Sequence, residues 1–345
     1  MVKCCSCPFF CVRVFFNGDI VFCCWTYNYV IGNIFEASFE NIWFGEKAQK
    51  FRESILDGSY KYCLDLKSCA INLSDNNNIN IDILEYPRYV ELSYNQFCNV
   101  KCVMCRDNLI CETKKDTENQ EKFIEKILDI CRNAKVVYLN GEGEALASPH
   151  FRKVIKMLSK NYPDILFDIH TNGLLLRKDI LENLGIINRL HHVLVSIHAA
   201  TKKTYEKIVI GSDFNKVLDN IKYLKDKTSM ELKFVISSLN YKEMPAFLKL
   251  AGKFNAYVTF SLFASYHHYT SLMCRECEKY ECFNPKHPEY KKFLKVLKKT
   301  VRLGNKNNYN YCFMDANLSK LAKSFEKTSF LREFKNKFFT NKNNA

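Results

Sequence analysis

The stretch Tyr94-Asn95-Gln96-Phe97-Cys98-Asn99-Val100-Lys101-Cys102-Val103-Met104-Cys105 decides how the chain is read. Its three cysteines, at C-x3-C-x2-C spacing, directly follow a β-rich run, Tyr89–Tyr94. They therefore fall in the loop at that strand's C-terminal end, the end that carries the chemistry in β/α barrels. Further β-rich runs follow at Lys135–Asn140, Ile165–His170, His192–His198, Glu231–Ser237 and Tyr257–Leu262. Helix-period segments separate them, among them Glu118–Arg132, Phe151–Asn161, Asp213–Lys227 and Lys242–Phe254. In the first, Phe123, Ile124, Ile127, Leu128 and Cys131 share one face. Six strands alternating with helices predict an α/β fold, a partial (β/α)6 TIM-like barrel of parallel strands.

The rest of the chain is organised around that core. It has 345 residues, 17 cysteines and a net charge of +14. Hydrophobic residues make up 47%, enough for a packed core, which excludes a wholly disordered chain. An odd cysteine count in a chain this long points away from a disulfide framework and towards metal or redox chemistry in a reducing cytoplasm. Arg13 and Asp19 interrupt the apolar start, and the uncharged run Ile20–Phe35 is too short to span a bilayer. The polar stretch Ser74–Asn80 reads as a linker. We expect a small Cys-rich α+β domain over 1–80, the core over 81–270, and a Cys-containing segment with a basic helical tail over 271–345. From Phe283 to Ala345 there are 15 Lys+Arg against 4 Asp+Glu, which leaves only +3 for everything before. Two helical patterns in this tail turn Phe293, Leu294, Leu297 and Val301, then Leu318, Leu321, Phe325, Leu331, Phe334 and Phe338, inward.

Three thiolates so closely spaced suit an iron–sulfur cluster, and three ligands to a four-iron cube leave one iron open. A zinc knuckle with a distant fourth ligand is the bland alternative. The C-x3-C-x2-C loop after a first strand resembles that of radical S-adenosylmethionine enzymes. Asn140-Gly141-Glu142-Gly143-Glu144-Ala145-Leu146, after the second strand, is similar to that family's Gly-Gly-Glu-Pro stretch, with Ala145 replacing the proline. His170-Thr171-Asn172-Gly173 follows the third strand and Val195-Ser196-Ile197-His198 ends the fourth, where His198 stands in place of the common aspartate. The resemblance covers about residues 88–265. It implies a [4Fe–4S] cluster on Cys98, Cys102 and Cys105, with S-adenosyl-L-methionine held by Gly141, Gly143, Glu144, Asn172 and Ser196.

The N-terminal unit has a hairpin signal of its own, β-rich residues flanking Asn17-Gly18. With Cys7-Pro8, Cys23-Cys24, Cys63 and Cys69 it resembles the SPASM auxiliary domain, here ahead of the core rather than after it. That resemblance implies an auxiliary [4Fe–4S] cluster on Cys7, Cys23, Cys63 and Cys69, with Cys24 the alternative to Cys23 and zinc the alternative metal. Cys274, Cys277, Cys282 and Cys312 would complete a second auxiliary cluster, a structural zinc site, or no site at all. Cys4, Cys5, Cys11, Cys111 and Cys131 read as core or incidental.

The family reading implies an oxidoreductase-type radical enzyme served by a one-electron donor such as flavodoxin or ferredoxin. Its expected substrate is a peptide or small polar metabolite. The basic tail raises RNA modification as a second reading, with an anionic partner, RNA or membrane surface. A non-enzymatic iron–sulfur electron carrier is a third. No residue is singled out as the catalytic acid or base.

Overall fold

The computed structural model describes residues 5–23, 26–63, 83–93, 95–110, 123–141, 143–264, 271–315 and 317–325. The linker at Ser74–Asn80, Cys24, Cys69 and Glu142 lie outside them, as does the tail beyond 325. The chain divides into two compact units, one of residues 1–100, 108–195 and 219–229, the other of 101–107, 196–218 and 230–345.

The first unit is built on a sheet ordered β3-β2-β1-β4-β6-β7-β8. The strands are β1 (Cys11–Phe15), β2 (Asp19–Val21), β3 (Gly32–Asn33), β4 (Tyr89–Ser93), β6 (Val136–Asn140), β7 (Leu166–Thr171) and β8 (Leu190–Ser196). β1, β4, β6, β7 and β8 are mutually parallel, and the hairpin β1–β2 and strand β3 are antiparallel. Four strands expected from the sequence, β4, β6, β7 and β8, are present. The N-terminal segment does more than precede them: β1 pairs with β4 from Cys11↔Tyr89 to Phe15↔Ser93. The hairpin turns at Gly18, whose φ of +89° is open to glycine at no steric cost. Asn33 Nδ2 and Asn17 Nδ2 both donate to the Asp19 carboxylate, at 2.9 and 2.7 Å, and tie the turn to β3.

The two faces of this sheet differ sharply. Val12, Val14, Val90, Leu92, Val137, Leu139, Phe167, Ile169, Val193 and Val195 are buried on one side. Helices supply the apolar cover. In helix Pro149–Asn161, Phe151, Val154, Ile155 and Leu158 are buried, and Ser148 caps the N-terminus by accepting from Phe151 N at 3.0 Å. In helical residues 123–130 the buried positions are Phe123, Ile124, Ile127 and Ile130; Leu128 is half-buried. The opposite face carries Arg13, Glu91, Tyr138 and Asp168 in register across β1, β4, β6 and β7. Parallel sheets are normally apolar on both faces, and this one departs from that pattern.

The second unit holds β10 (Ser229–Ile236), β11 (Tyr257–Leu262) and β12 (Tyr311–Phe313), all parallel. It also holds a two-stranded antiparallel ribbon, β5 (Lys101–Cys102) with β9 (Val209–Ile210). β10 and β11 are the fifth and sixth strands expected, and β12, β5 and β9 are additions. Of the tail helices, Tyr290–Asn307 buries Phe293, Leu297 and Val301 as the pattern predicts. Helical residues 317–325 bury Leu318. No helix of the described residues is long and apolar enough to cross a membrane.

Candidate active site

In the first unit the loops after β4, β6 and β7 are knotted together by one carboxylate. Glu144 is 2% exposed. Its Oε1 accepts from Thr171 Oγ1 at 2.8 Å and from Leu146 N at 3.3 Å, and its Oε2 accepts from Asn172 N at 2.7 Å. Its own N–H donates to the Phe97 carbonyl at 2.7 Å. Asn172 Nδ2 in turn donates to Asn99 Oδ1 at 2.8 Å, inside the cysteine loop. Burial pushes the Glu144 pKa up, against the hydrogen bonds from Asn172, Thr171 and Leu146 that pull it down.

Glycine is required in this knot. A Cβ on Gly143 would overlap the Phe97 carbonyl, and one on Gly141 would stand 3.1 Å from the backbone and side-chain oxygens of Asn95. Asn95 is 3% exposed, yet both polar atoms of its carboxamide lack a partner among the described residues. Buried carboxamides are ordinarily satisfied. An orphaned amide against a glycine loop at a strand's C-terminal end fits a small polar ligand such as the methionyl end of S-adenosylmethionine. The Glu144 carboxylate accepts three protein donors and so positions Asn172 and Thr171. Asn99 and Thr171 are members of the knot that the sequence reading left without a role.

Residues 101–107 of the cysteine loop are described with the second unit. Cys102 and Cys105 are joined by a turn, Cys105 N to Cys102 O at 2.9 Å, and the β5–β9 ribbon is extended by Val103 N to Ile208 O at 2.9 Å. Arg106, 8% exposed, donates from Nε to Cys105 Sγ at 3.4 Å. Ser196 lies half-buried at the end of β8. Beyond it, His198 is buried with φ +61°, and its Nδ1 accepts from Val235 N at 3.2 Å. That bond places the proton of the neutral ring on Nε2. Burial, with Lys233 adding to it, lowers the His198 pKa to about 3. Asn240 Nδ2 donates to the His198 carbonyl at 2.8 Å.

The cysteines expected at a third site do not converge. Cys274 donates its thiol to the Met104 carbonyl at 3.2 Å. Cys312 sits on β12, opposite Thr259, with Sγ 4.0 Å from its hydroxyl. Cys282 is buried, and burial followed by the nearby Glu289 pushes its thiol up to about 12. Burial also pushes up Cys277, helped by Glu281. β12 pairs with β11 and carries Cys312 to Thr259, while Cys274 is held by Ser271 and Met104. Among the described residues no three Cys, His, Asp or Glu side chains are gathered as a metal ion requires.

At the N-terminus Cys7 and Cys11 are buried and Cys5 is half-buried. The Cys7 thiol is held above its ordinary range, first by its bond to Cys11, and Cys23 lies close enough to add to the effect. Cys63 closes a turn with Tyr60 at 2.9 Å. Because Cys11 pairs with Tyr89 and Phe15 with Ser93, this group sits at the N-terminal end of β4. Cys98 follows the other end, and the five residues of β4 separate the two by ~16 Å of strand. Between them the polar face carries linked side chains. Glu91 Oε1 accepts from Arg13 at 2.7 Å and from Asn140 Nδ2 at 2.6 Å, while Asp168 accepts from Tyr89 at 3.4 Å and contacts His191 Nδ1 at 2.8 Å.

Residues 92–251 match the model of the radical SAM superfamily, so the chain carries a radical SAM domain. Residues 4–70 match the SPASM iron–sulfur cluster-binding domain, so the cofactors are S-adenosylmethionine and [4Fe–4S] clusters. The FeMo cofactor biosynthesis protein NifB of Methanocaldococcus infernus is 29% identical over 131 residues, covering 35% of this chain and 43% of that protein. A probable GTP 3',8-cyclase of Saccharolobus islandicus is 27% identical over 172 residues, covering 47% and 52%. The chain thus spans about half the length of the curated relatives it matches. Streptococcus suis SuiB bound to S-adenosylmethionine superposes with a TM-score of 0.46 at 13% identity, over 79% of this chain and 56% of SuiB.

Proposed function

We propose that this chain is a radical enzyme that cleaves S-adenosylmethionine reductively and removes hydrogen from a small polar metabolite or peptide, in a reducing cytoplasm and with a one-electron donor such as flavodoxin or ferredoxin. The Glu144 knot is the observation that carries this reading. It brings the loops after β4, β6 and β7 to one place, where the Asn95 amide has no partner among the described residues. When bound, cluster and cofactor supply a carbon-centred radical strong enough to abstract an unactivated hydrogen. The protein's part is to hold the cofactor and exclude water. Cys98, Cys102 and Cys105 would hold the cluster, the backbone at Gly141 and Gly143 with Asn95 would bind the amino-acid end of the cofactor, and Asn172 would hold the cysteine loop through Asn99.

The polar face with Arg13, Glu91, Asn140, Tyr89 and Asp168 supports a polar substrate, since it offers charged and hydrogen-bonding groups where a packed sheet would offer none. The N-terminal cysteines sit at the far end of β4, which favours an electron-transfer role for their cluster over direct ligation of substrate. A second reading, an RNA substrate or other anionic partner, rests on the basic helix Tyr290–Asn307.

The test is 5′-deoxyadenosine production. Anaerobically reconstituted, reduced protein should form it from S-adenosylmethionine, and Cys98→Ala should form none. A wild-type protein that binds a cluster but yields no deoxyadenosine would refute the enzyme reading.

A further inference from the structure

The turn that carries the last cluster cysteine is clamped from two sides by groups the reaction does not explain. Arg106 Nε donates to Cys105 Sγ at 3.4 Å, and the guanidinium is 8% exposed. One residue before Cys105, the Met104 carbonyl accepts the thiol of Cys274 at 3.2 Å. Cys274 is itself fixed by Ser271, whose Oγ donates to its Sγ and accepts from its N–H, both at 3.2 Å. One residue beyond Arg106, Asp107 Oδ2 pairs with Arg275 Nη1 at 2.7 Å. Segment 271–275 therefore holds both flanks of the Cys105–Arg106 dipeptide, and a buried cation is kept against a ligand sulfur.

We propose that Arg106 is a positioning residue that raises the reduction potential of the cluster on Cys98, Cys102 and Cys105, with Cys274 and Arg275 fixing it in place. The inference rests on the family-level assignment of that cluster and not on any substrate. Taking up one electron adds one negative charge to the cluster. A positive charge at hydrogen-bonding distance from a ligand sulfur stabilises that added charge, and in a water-poor site the effect is large. A hydrogen bond to the sulfur acts in the same direction by withdrawing density from it. Cys274 then has a use that needs no metal. Its thiol is a donor small enough to be buried beside the loop, and it holds the Met104 carbonyl so that the turn presents Cys105 to Arg106.

The experiment is a redox titration of the reconstituted full chain followed by electron paramagnetic resonance, without substrate. The cluster concerned is identified as the one whose signal changes when S-adenosylmethionine is added. Arg106→Gln should make it harder to reduce, with at least about a tenfold lower ratio of reduced to oxidised cluster at a fixed potential, or ~59 mV for one electron. Arg106→Lys, which keeps the charge, should recover most of the shift. Cys274→Ala should give a smaller shift of the same sign, while the auxiliary signal stays where it was in all three. An unshifted Arg106→Gln signal overturns the proposal. So does failure of both Arg106 variants to hold the cluster, which would make the role structural. A parent protein with no S-adenosylmethionine-responsive signal would overturn the cluster assignment itself, a result distinct from an unshifted variant.

Discussion

Glu144 and His198 are both buried, and their burial acts in opposite senses. Replacing Glu144 by Gln sets an amide NH2 against either Asn172 N–H or Leu146 N–H, both of which now donate to the carboxylate. We expect a loss of about 1–3 kcal/mol in unfolding free energy and a weaker S-adenosylmethionine affinity, read by chemical denaturation and by equilibrium binding. A Glu144→Gln protein that keeps both values would show that the knot does not organise the site. His198 yields a pH prediction. Its folded pKa of about 3 lies below the ordinary value, so the folded protein resists protonation and the unfolded chain does not. The stability this group contributes is full above about pH 6.5 and is lost as pH falls towards about 3. His198→Asn keeps a residue type that tolerates φ +61° and an acceptor, Oδ1, for Val235 N–H, but removes the buried titrating ring. At neutral pH it should cost about 1–2 kcal/mol, and the gap to the parent should close on acidification through that window. A gap that stays constant with pH would mean that His198 is not the titrating group.

The elements show what the sequence could and could not tell. Six β/α strands, the Asn17-Gly18 hairpin and the helices at Pro149–Asn161, Phe214–Leu224, Met244–Lys253 and Tyr290–Asn307 were legible, because hydrophobic periodicity and turn chemistry are local signals. The parallel pairing of β1 with β4 was not, because it joins residues about 80 positions apart and a strand's own pattern does not name its neighbour. The same limit explains the Cys274 group: close spacing suggested a metal site, but β12 carries Cys312 to Thr259 and Cys274 faces Met104. Arg52 is another such case. It is 2% exposed, donates to the carbonyls of Pro8 and Trp43 at 2.8 and 2.7 Å, and lies over the Trp43 ring at 4.3 Å. Burial lowers its pKa to about 10 without approaching neutrality. Arg52 thus fastens the short helix Cys7–Phe10 to helix Glu46–Leu56, and with it the Cys7 thiol. Arg52→Leu should cost about 2–4 kcal/mol and reduce the iron held at the N-terminal site, both measurable on purified protein. Unchanged iron binding would separate the Cys7 turn from this anchor.

At the scale of the molecule, the polarity of β4 separates two kinds of chemistry. Cys11 lies where the strand begins, with the short helix Cys7–Phe10 leading into it, and Cys98 follows where it ends. The two ends share a sheet but no ligand. Each cluster should therefore assemble on its own cysteines, and removing one should leave the other intact. The reconstituted parent should carry about eight irons and eight sulfides, two [4Fe–4S] clusters. A Cys98→Ala, Cys102→Ala protein should keep about four of each, with no signal that responds to S-adenosylmethionine. A Cys7→Ala, Cys23→Ala protein should also keep about four, with the responsive signal present. The third cysteine group predicts no further iron, because Cys274, Cys277, Cys282 and Cys312 have different neighbours. About twelve irons in the parent, falling by four in a Cys277→Ala, Cys282→Ala protein, would show that those cysteines rearrange around a cluster after all. Loss of all iron from either of the first two variants would show instead that the ends of β4 are not independent, and the electron-transfer role assigned to the N-terminal site would fall with that result.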